Sequence, residues 1–380
     1  MDVFRRLRGV LAALALVAGA APATGAGPLP RARDLGVPFD FGVPGPLNAI
    51  TDVAGVEVGH VTLVSGDDVR TGVTAILPRG RGDAALRPVF AGHFELNGNG
   101  EMTGLPWVRE SGWLEGPLLL TNTNAVGVLR DALIRYAARR WPGSREVWSL
   151  PVVAETWDGH LNDIYGEHVK AEHAAAAIEA ARGGPVAEGN VGGGTGMICF
   201  EWKGGIGTAS RRLSAPAGGH TVGVLVQANF GRRHQLRVAG VPVGRALRQG
   251  LLWSKEQGSI IVVVASDAPL LPHQLERLAR RAALGLARTG SVAGDGSGDL
   301  FLAFSTAAVE ETAEGLRRAS FLPESRLDPL FEATVGATEE AIVNALVAAR
   351  TMKGRAGHEV QALPHELLRD TLRGHRALVE

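Results

Sequence analysis

Residues 256–266 read EQGSIIVVVAS, and Ile260 to Val264 are five β-branched residues in succession. Two heavy atoms on each Cβ crowd a helical turn but suit a pleated sheet. The run therefore reads as a buried strand, and its doorstep is a Gly-Ser bond. At 380 residues the chain is long enough for one large domain or two ordinary ones.

Charge excludes some classes of function. Lys and Arg number 39 and Asp and Glu number 39, so nothing draws the chain electrostatically to nucleic acid or to an anionic membrane surface. The 51 glycines cluster in phrases such as GNVGGGTGM and WKGGIGTAS, which indicates tight turns rather than low complexity. The sole cysteine, Cys199, lies in the apolar MICF. It has no disulfide partner within the chain and reads as an inert buried thiol.

Residues 1–26 have the form of a secretory signal peptide. Arg5, Arg6 and Arg8 precede the apolar GVLAALALVAGAA, and small residues follow. Cleavage is expected after Ala23 or Ala26, which implies a periplasmic or secreted protein. No later stretch is long and apolar enough to span a bilayer.

A Pro-rich arm extends to about Pro46. Strand-like phrases then include AGVEVGHVTLV, TGVTAILP, GPLLLTNT and HTVGVLVQANF. PHQLERLARRAALGLAR places Leu275, Leu278, Ala279, Ala282 and Leu286 on one helical face. ATEEAIVNALVAARTM, with Val335 two residues before it, predicts a second apolar stripe carrying Val335, Ile342, Leu346 and Ala349. AEHAAAAIEAARGG predicts a helix stopped by Gly183 and Gly184. Strands and helices do not alternate strictly, so a simple βαβ repeat is disfavoured.

Several motifs fail on context. EGNVGGGTGM lacks the Gly-Lys-Ser/Thr ending of a P-loop. His168 and His173 do not have zinc-protease spacing. GDGSGDLF approaches a nucleophile elbow, but the LFLAFST after it reads as a strand rather than a helix.

Ser259 admits two readings. It is a plain strand-edge serine, or it is half of a self-cleaving bond. Gly258 has no side chain to obstruct attack on its carbonyl. The Ser259 hydroxyl can take the acyl group from its own nitrogen, and hydrolysis of that ester frees Ser259 as a new N-terminus. Its α-amine, with an ordinary pKa of roughly 7.7–8.0, is then a built-in base that replaces histidine.

The phrases RARDLGVPFDFGVPGPLNAITDVAGVEVGH, LPVVAETWDGHLNDI, GGPVAEGNVGGGTGM, KGGIGTASR, HTVGVLVQANFG, GSIIVVVASDAPLLPHQLERLARRAALGLARTGS and GSGDLFLAFST resemble, in one order, the DmpA-like aminopeptidases. These include L-aminopeptidase D-amidase/D-esterases and β-peptidyl aminopeptidases. The resemblance covers nearly all of the mature chain. It implies an α+β fold, a four-layer αββα sandwich of the N-terminal-nucleophile-hydrolase or ornithine acetyltransferase type. It also implies self-cleavage between Gly258 and Ser259. Residues 27–258 would be the α chain and 259–380 the β chain of one domain, assembled as a homotetramer of αβ heterodimers.

By the same resemblance Ser259 is the nucleophile and Asn229 the oxyanion donor. Ser297 and Asp299 match a Ser-x-acid pair, with Asp299 where some members carry glutamate. Glu155 matches the carboxylate that binds the substrate ammonium, and Trp157 matches an aromatic lining position. No metal or cofactor is implied. The substrate is a small peptide or an amino acid amide or ester, with L-, D- and β-residues all open. The competing readings are an ornithine acetyltransferase-like enzyme, which would use threonine, and a non-catalytic periplasmic binding protein.

Overall fold

All five side chains of the Ile260–Val264 run are fully buried, and they divide between two cores. Ile260, Val262 and Val264 pack toward helices, while Ile261 and Val263 pack toward a second sheet. Successive side chains of a strand point to opposite faces. A strand covered on both faces has no use for polar alternation, which accounts for the unbroken apolar run.

The computed structural model describes residues 30–82, 87–146, 148–246, 250–256 and 258–379. The signal segment and its cleavage sites lie outside the described residues. The main strands are β1 (Glu57–Ser65), β2 (Val69–Leu77), β3 (Val89–Gly98), β4 (Trp113–Leu114), β5 (Leu118–Asn122) and β6 (Val152–Thr156). They continue with β7 (Gly205–Arg212), β8 (Thr221–Asn229), β9 (Gly258–Ser266) and β10 (Ser297–Ser305). Four long helices complete the layers: α1 (Val126–Arg140), α2 (Ala171–Ala180), α3 (Pro272–Arg288) and α4 (Asp328–Val347).

The smaller sheet has the order β1-β2-β5-β6 and the larger β4-β3-β10-β9-β8-β7. Leu129 and Leu133 of α1 and Ile178 of α2 share a core with Val73, Leu119 and Val153 of the smaller sheet. α3 and α4 cover the larger sheet. The third core, with Ile76, Leu120, Leu225 and Ile261, lies between the sheets. The architecture is the expected αββα sandwich. β9 joins the two stretches assigned to different chains, since β8 pairs with it from before the Gly258–Ser259 bond and β10 from after it.

Two sequence-based expectations need correction. α2 ends at Ala180, ahead of the paired glycines. Arg182 and Val58 exchange two backbone hydrogen bonds of 3.1 Å, and that pairing pulls the chain out of the helix at Ala181. α4 begins at Asp328 and is buried on nearly every side rather than along one stripe, and Ala349 falls beyond its end. Its polar residues find partners inside. Glu340 meets Arg211 at 2.8 Å, with both side chains fully buried, and Arg33 of the N-terminal arm at 2.7 Å. Burial pushes the Glu340 carboxyl up, but the guanidiniums of Arg33 and Arg211 outweigh it and hold the carboxyl below the usual range.

The central position of β9 sets a stability prediction. Ile261→Ala should destabilise the fold by about 2–5 kcal/mol and Ile261→Val by about 0.5–1.5 kcal/mol. Urea midpoints at constant m-value will measure both losses.

Candidate active site

Three strand ends converge at one edge of the sandwich. β8 ends at Asn229, and antiparallel register sets Asn229 opposite Ser259. β10 starts parallel to β9, which sets Ser297 opposite Gly258 and Gly298 opposite Ser259. Ser259, Asn229, Ser297 and Asp299 are all buried. The alternation of faces separates them. Ser259 and Asn229 share the face of Ile261 and Leu225, toward the smaller sheet. Ser297 and Asp299 share the face of Phe301, toward the helices.

Asn229 is held at both ends of its amide. Its Oδ1 accepts from the Ile198 N–H at 2.7 Å, and its Nδ2 donates to the Trp157 carbonyl at 2.9 Å. An amide nitrogen carries two hydrogens, so one remains for a developing negative charge beside Ser259. Gly258 has φ +131, and a Cβ there would fall 1.8 Å from the Asn229 carbonyl oxygen. Only glycine lets β9 close onto β8 at the Gly-Ser bond.

Ser297 Oγ donates to Asp299 Oδ1 at 2.7 Å. Burial, foremost, and the charge of Glu256 push the Asp299 carboxyl up to about 6, against the Ser297 hydroxyl and the Ile260 N–H. The shorter aspartate still reaches the serine two residues before it.

Glu155 stands at the end of β6 and is buried. Its Oε1 accepts from the Glu101 N–H at 2.9 Å, and its Oε2 accepts from the Thr123 hydroxyl. Burial pushes its carboxyl up, while those two donors pull it down. A Cβ on Gly100 would sit 3.3 Å from Glu155 Oε1 and 3.4 Å from the Gly298 Cα. Gly298 is the β10 partner of Ser259, so one glycine separates the carboxylate from the serine's neighbour. The Trp157 ring folds over Gly159 and is 39% exposed, and its backbone carbonyl orients Asn229. The structure thus brings all seven sequence-derived residues to one region.

Sequence reasoning missed the groups behind them. Lys203 is fully buried, and its ammonium donates to the carbonyls of Gly194, Met197 and Gly204 at 3.3, 2.7 and 2.9 Å. Burial pushes the ammonium down to about 7. It fastens the glycine loop that delivers Ile198 to Asn229. Gln227 donates to the Thr121 carbonyl and the Thr156 hydroxyl, both at 2.8 Å, and so ties the two sheets together. Asp158, next to Trp157, is pushed up to about 7 by burial and accepts from Asn162 at 3.1 Å. A lone Lys or Gln within an apolar phrase gives no periodic signal. Cys199 is buried as expected, and burial pushes its thiol up.

An αββα sandwich with a buried serine opening a central strand defines a class, the N-terminal-nucleophile hydrolases. Comparison with known proteins then gives the family. The model of peptidase family S58 matches residues 48–360, and the chain belongs to that family. It is a self-processing serine aminopeptidase, and this decides against the binding protein and the acetyltransferase. The chain is 53% identical to the beta-peptidyl aminopeptidase BapA of Sphingosinicella microcystinivorans over 96% of both chains. A solved beta-aminopeptidase of Burkholderia sp. is 52% identical, with a TM-score of 0.85 over 90% of this chain and 98% of that one. The L-aminopeptidase D-Ala-esterase/amidase of Ochrobactrum anthropi is described as a prototype serine aminopeptidase and a variant of the Ntn hydrolase fold. It is 46% identical, with a TM-score of 0.86 over 92% and 99% of the two chains.

Gly258→Ala should fold but lose the Asn229–Ser259 register, because the added carbon meets main chain rather than a movable side chain. Self-processing, followed as the appearance of two bands on a denaturing gel, should be abolished or strongly slowed.

Proposed function

We propose that the enzyme is exported, cuts itself between Gly258 and Ser259, and removes N-terminal β-amino acid residues from small peptides and amides. The observation that carries the reading is Ser259 opposite a half-free Asn229 amide, with Gly298 and Gly100 between it and the buried Glu155. The names of the relatives at 53% and 48% identity favour β-residues over D-amino acid esters. Arg5, Arg6, Arg8 and the apolar run after them support export to the periplasm or beyond. Exposed apolar side chains such as Tyr165, Trp148 and Phe321 support assembly into a homotetramer of αβ heterodimers.

In the mature enzyme the freed Ser259 α-amine takes the proton from its own hydroxyl, and Oγ adds to the carbonyl of the substrate's first residue. The spare Asn229 N–H stabilises the oxyanion. The leaving amine departs protonated, and water then hydrolyses the acyl-enzyme. Ser297 and Asp299 orient the α-amine from the helix-facing side of the sheet. Glu155 binds the substrate ammonium, and the Trp157 ring covers the apolar part of the residue. A charge-assisted hydrogen bond to that ammonium contributes on the order of 1.5–3 kcal/mol. An acetylated substrate forfeits it and leaves a buried carboxylate unpaired.

Purified protein should run as two fragments, the smaller beginning Ser-Ile-Ile-Val-Val, and Ser259→Ala should run as one. A Ser259→Ala chain cut at the same bond would overturn the nucleophile assignment. β-Alanyl p-nitroanilide should be hydrolysed at neutral pH, where its β-amine, more basic than an α-amine because it lies one carbon further from the carbonyl, is protonated, and its N-acetyl form should be nearly inert. Glu155→Gln should narrow that gap, and equal rates on both substrates in the unaltered enzyme would sink the aminopeptidase assignment for this site. Asn229→Ala should lower kcat by about 10²–10³, measured per cleaved chain.

A further inference from the structure

Asn229 is oriented by two stretches of main chain. The loop that follows the glycine turn offers the Ile198 N–H to Asn229 Oδ1 at 2.7 Å. The loop after β6 offers the Trp157 carbonyl to Asn229 Nδ2 at 2.9 Å. Neither partner is a side chain, so the separation of the two loops decides where the spare Asn229 N–H points.

One small core joins the two loops. Leu161, Ile198 and Val360 are buried together, and Leu252, Trp253 and Met352 pack against them. Leu252 and Trp253 belong to the segment that leads into the Gly258–Ser259 bond. The Trp253 ring meets the His160 ring edge to face, with 4.8 Å between centroids and 83° between planes. His358 stacks flat on His160, 4.3 Å between centroids, and its Nδ1–H donates to the His160 carbonyl at 2.9 Å. Arg355 Nη1 donates to the Gly159 carbonyl at 3.3 Å. Burial, foremost, and the charges of His358 and Arg355 push the His160 ring down to about 4, so it packs on Trp253 as a neutral ring at pH 7. The loop that presents the Trp157 carbonyl is thus held immediately beyond it, at Gly159 and His160.

The segment bearing Trp253 is tied down without help from the Gly258–Ser259 bond. The Leu252 N–H donates to Glu201 Oε2 at 2.7 Å, and Arg232 Nε donates to Glu201 Oε1 at 3.0 Å. Arg232 Nη1 donates to the Ser254 carbonyl at 2.8 Å. Glu201, Arg232, Ile198 and His160 all precede Gly258 in the chain. Cutting after Gly258 breaks none of these contacts.

Granted the catalytic roles of Ser259 and Asn229, on which this rests, we propose that Trp253 is a positioning residue of the mature enzyme. The cut end of the α chain stays seated. Trp253 acts through His160 on the Trp157 loop, and through the shared core on the Ile198 loop. Both partners of the Asn229 amide are held at a fixed separation, and the spare N–H meets the developing oxyanion already aimed.

The test is a double-mutant cycle on chains that have cut, with β-alanyl p-nitroanilide as substrate. Trp253→Ala should lower kcat by about tenfold, less than loss of the whole donor, and leave KM within about threefold. In an Asn229→Ala background the same change should cost less than about twofold, because no donor is left to aim. Trp253→Phe, which keeps an aromatic ring against His160, should hold kcat within about threefold of the unaltered enzyme. Should Asn229→Ala not cut, inhibition by 3-aminopropanal reads the same quantity, since its adduct with Ser259 carries the tetrahedral oxygen, and Trp253→Ala should weaken it about tenfold. Should Trp253→Ala not fold, Trp253→Leu removes the ring and keeps an apolar contact. An unaltered kcat overturns the proposal. So does an equal loss in both backgrounds, which marks packing alone, a rise in KM without a fall in kcat, or a Phe variant no better than Ala. A near-normal kcat in Asn229→Ala overturns the oxyanion reading itself, and this inference with it.

Discussion

Everything at the active edge depends on how β9 pairs with its two neighbours. Antiparallel register with β8 puts Asn229 across from Ser259, and parallel register with β10 puts Ser297 and Gly298 alongside Gly258 and Ser259. A slip of one residue would exchange the two faces of the strand. It would turn Ile261 and Val263 out of the inter-sheet core and rotate Ser259 away from Asn229. The burial that stabilises the sandwich therefore also aims Ser259, the proposed nucleophile. The Gly258 main chain, pressed against Asn229, fixes the end of the register where the chemistry sits.

Around this strand the fold gives buried polar groups structural tasks. Gln227 and Asn229 follow one another on the inter-sheet face of β8, with the apolar Val226 and Ala228 on the helix face, and both reach main-chain carbonyls on the far side. Unpaired, such groups would cost about 1–3 kcal/mol each. Paired, they lock the spacing of the two sheets. Lys203 does the same for the glycine loop, whose close approaches leave no room for side chains. Gly193 and Gly194 would place a Cβ 2.1 Å from Gln227 Oε1 and 2.4 Å from the Ile206 nitrogen. The loop is a clamp on Asn229, the proposed oxyanion donor, and not a phosphate cradle.

The two faces of the larger sheet divide the proton chemistry. The smaller-sheet side carries the Ser259 hydroxyl and the Asn229 amide, where the proposed mechanism puts the acyl carbon and its oxygen. The helix side carries Ser297 and Asp299, paired with Gly258 and Ile260 on either side of residue 259. In the proposed mechanism the nitrogen of residue 259 leaves during maturation and acts as a base afterwards. The Asp299 carboxyl suits both duties, because burial pushes it up to about 6.

Most elements and most of the site are legible in the order of residues. Five β-branched residues in succession are legible as a buried strand because their covalent shape disfavours a helix. The arginine-backed stripe of α3 is legible because one of its faces meets solvent. The resemblance carried Ser259, Asn229, Ser297, Asp299, Glu155 and Trp157 because each sits in its own recognisable phrase. α4 was only half legible, since a helix buried on all sides has no polar face to mark its period. The end of α2 was missed because a bridge from Arg182 to distant Val58 stops it. Packing across the fold, and nothing local, lets Thr123 and the Glu101 N–H hold Glu155, lets Lys203 brace the loop behind Asn229, and sets Glu256 against the turn at Gly294 and Gly296. Those groups meet only when the two sheets stack, and no local spacing records a contact made across a sandwich.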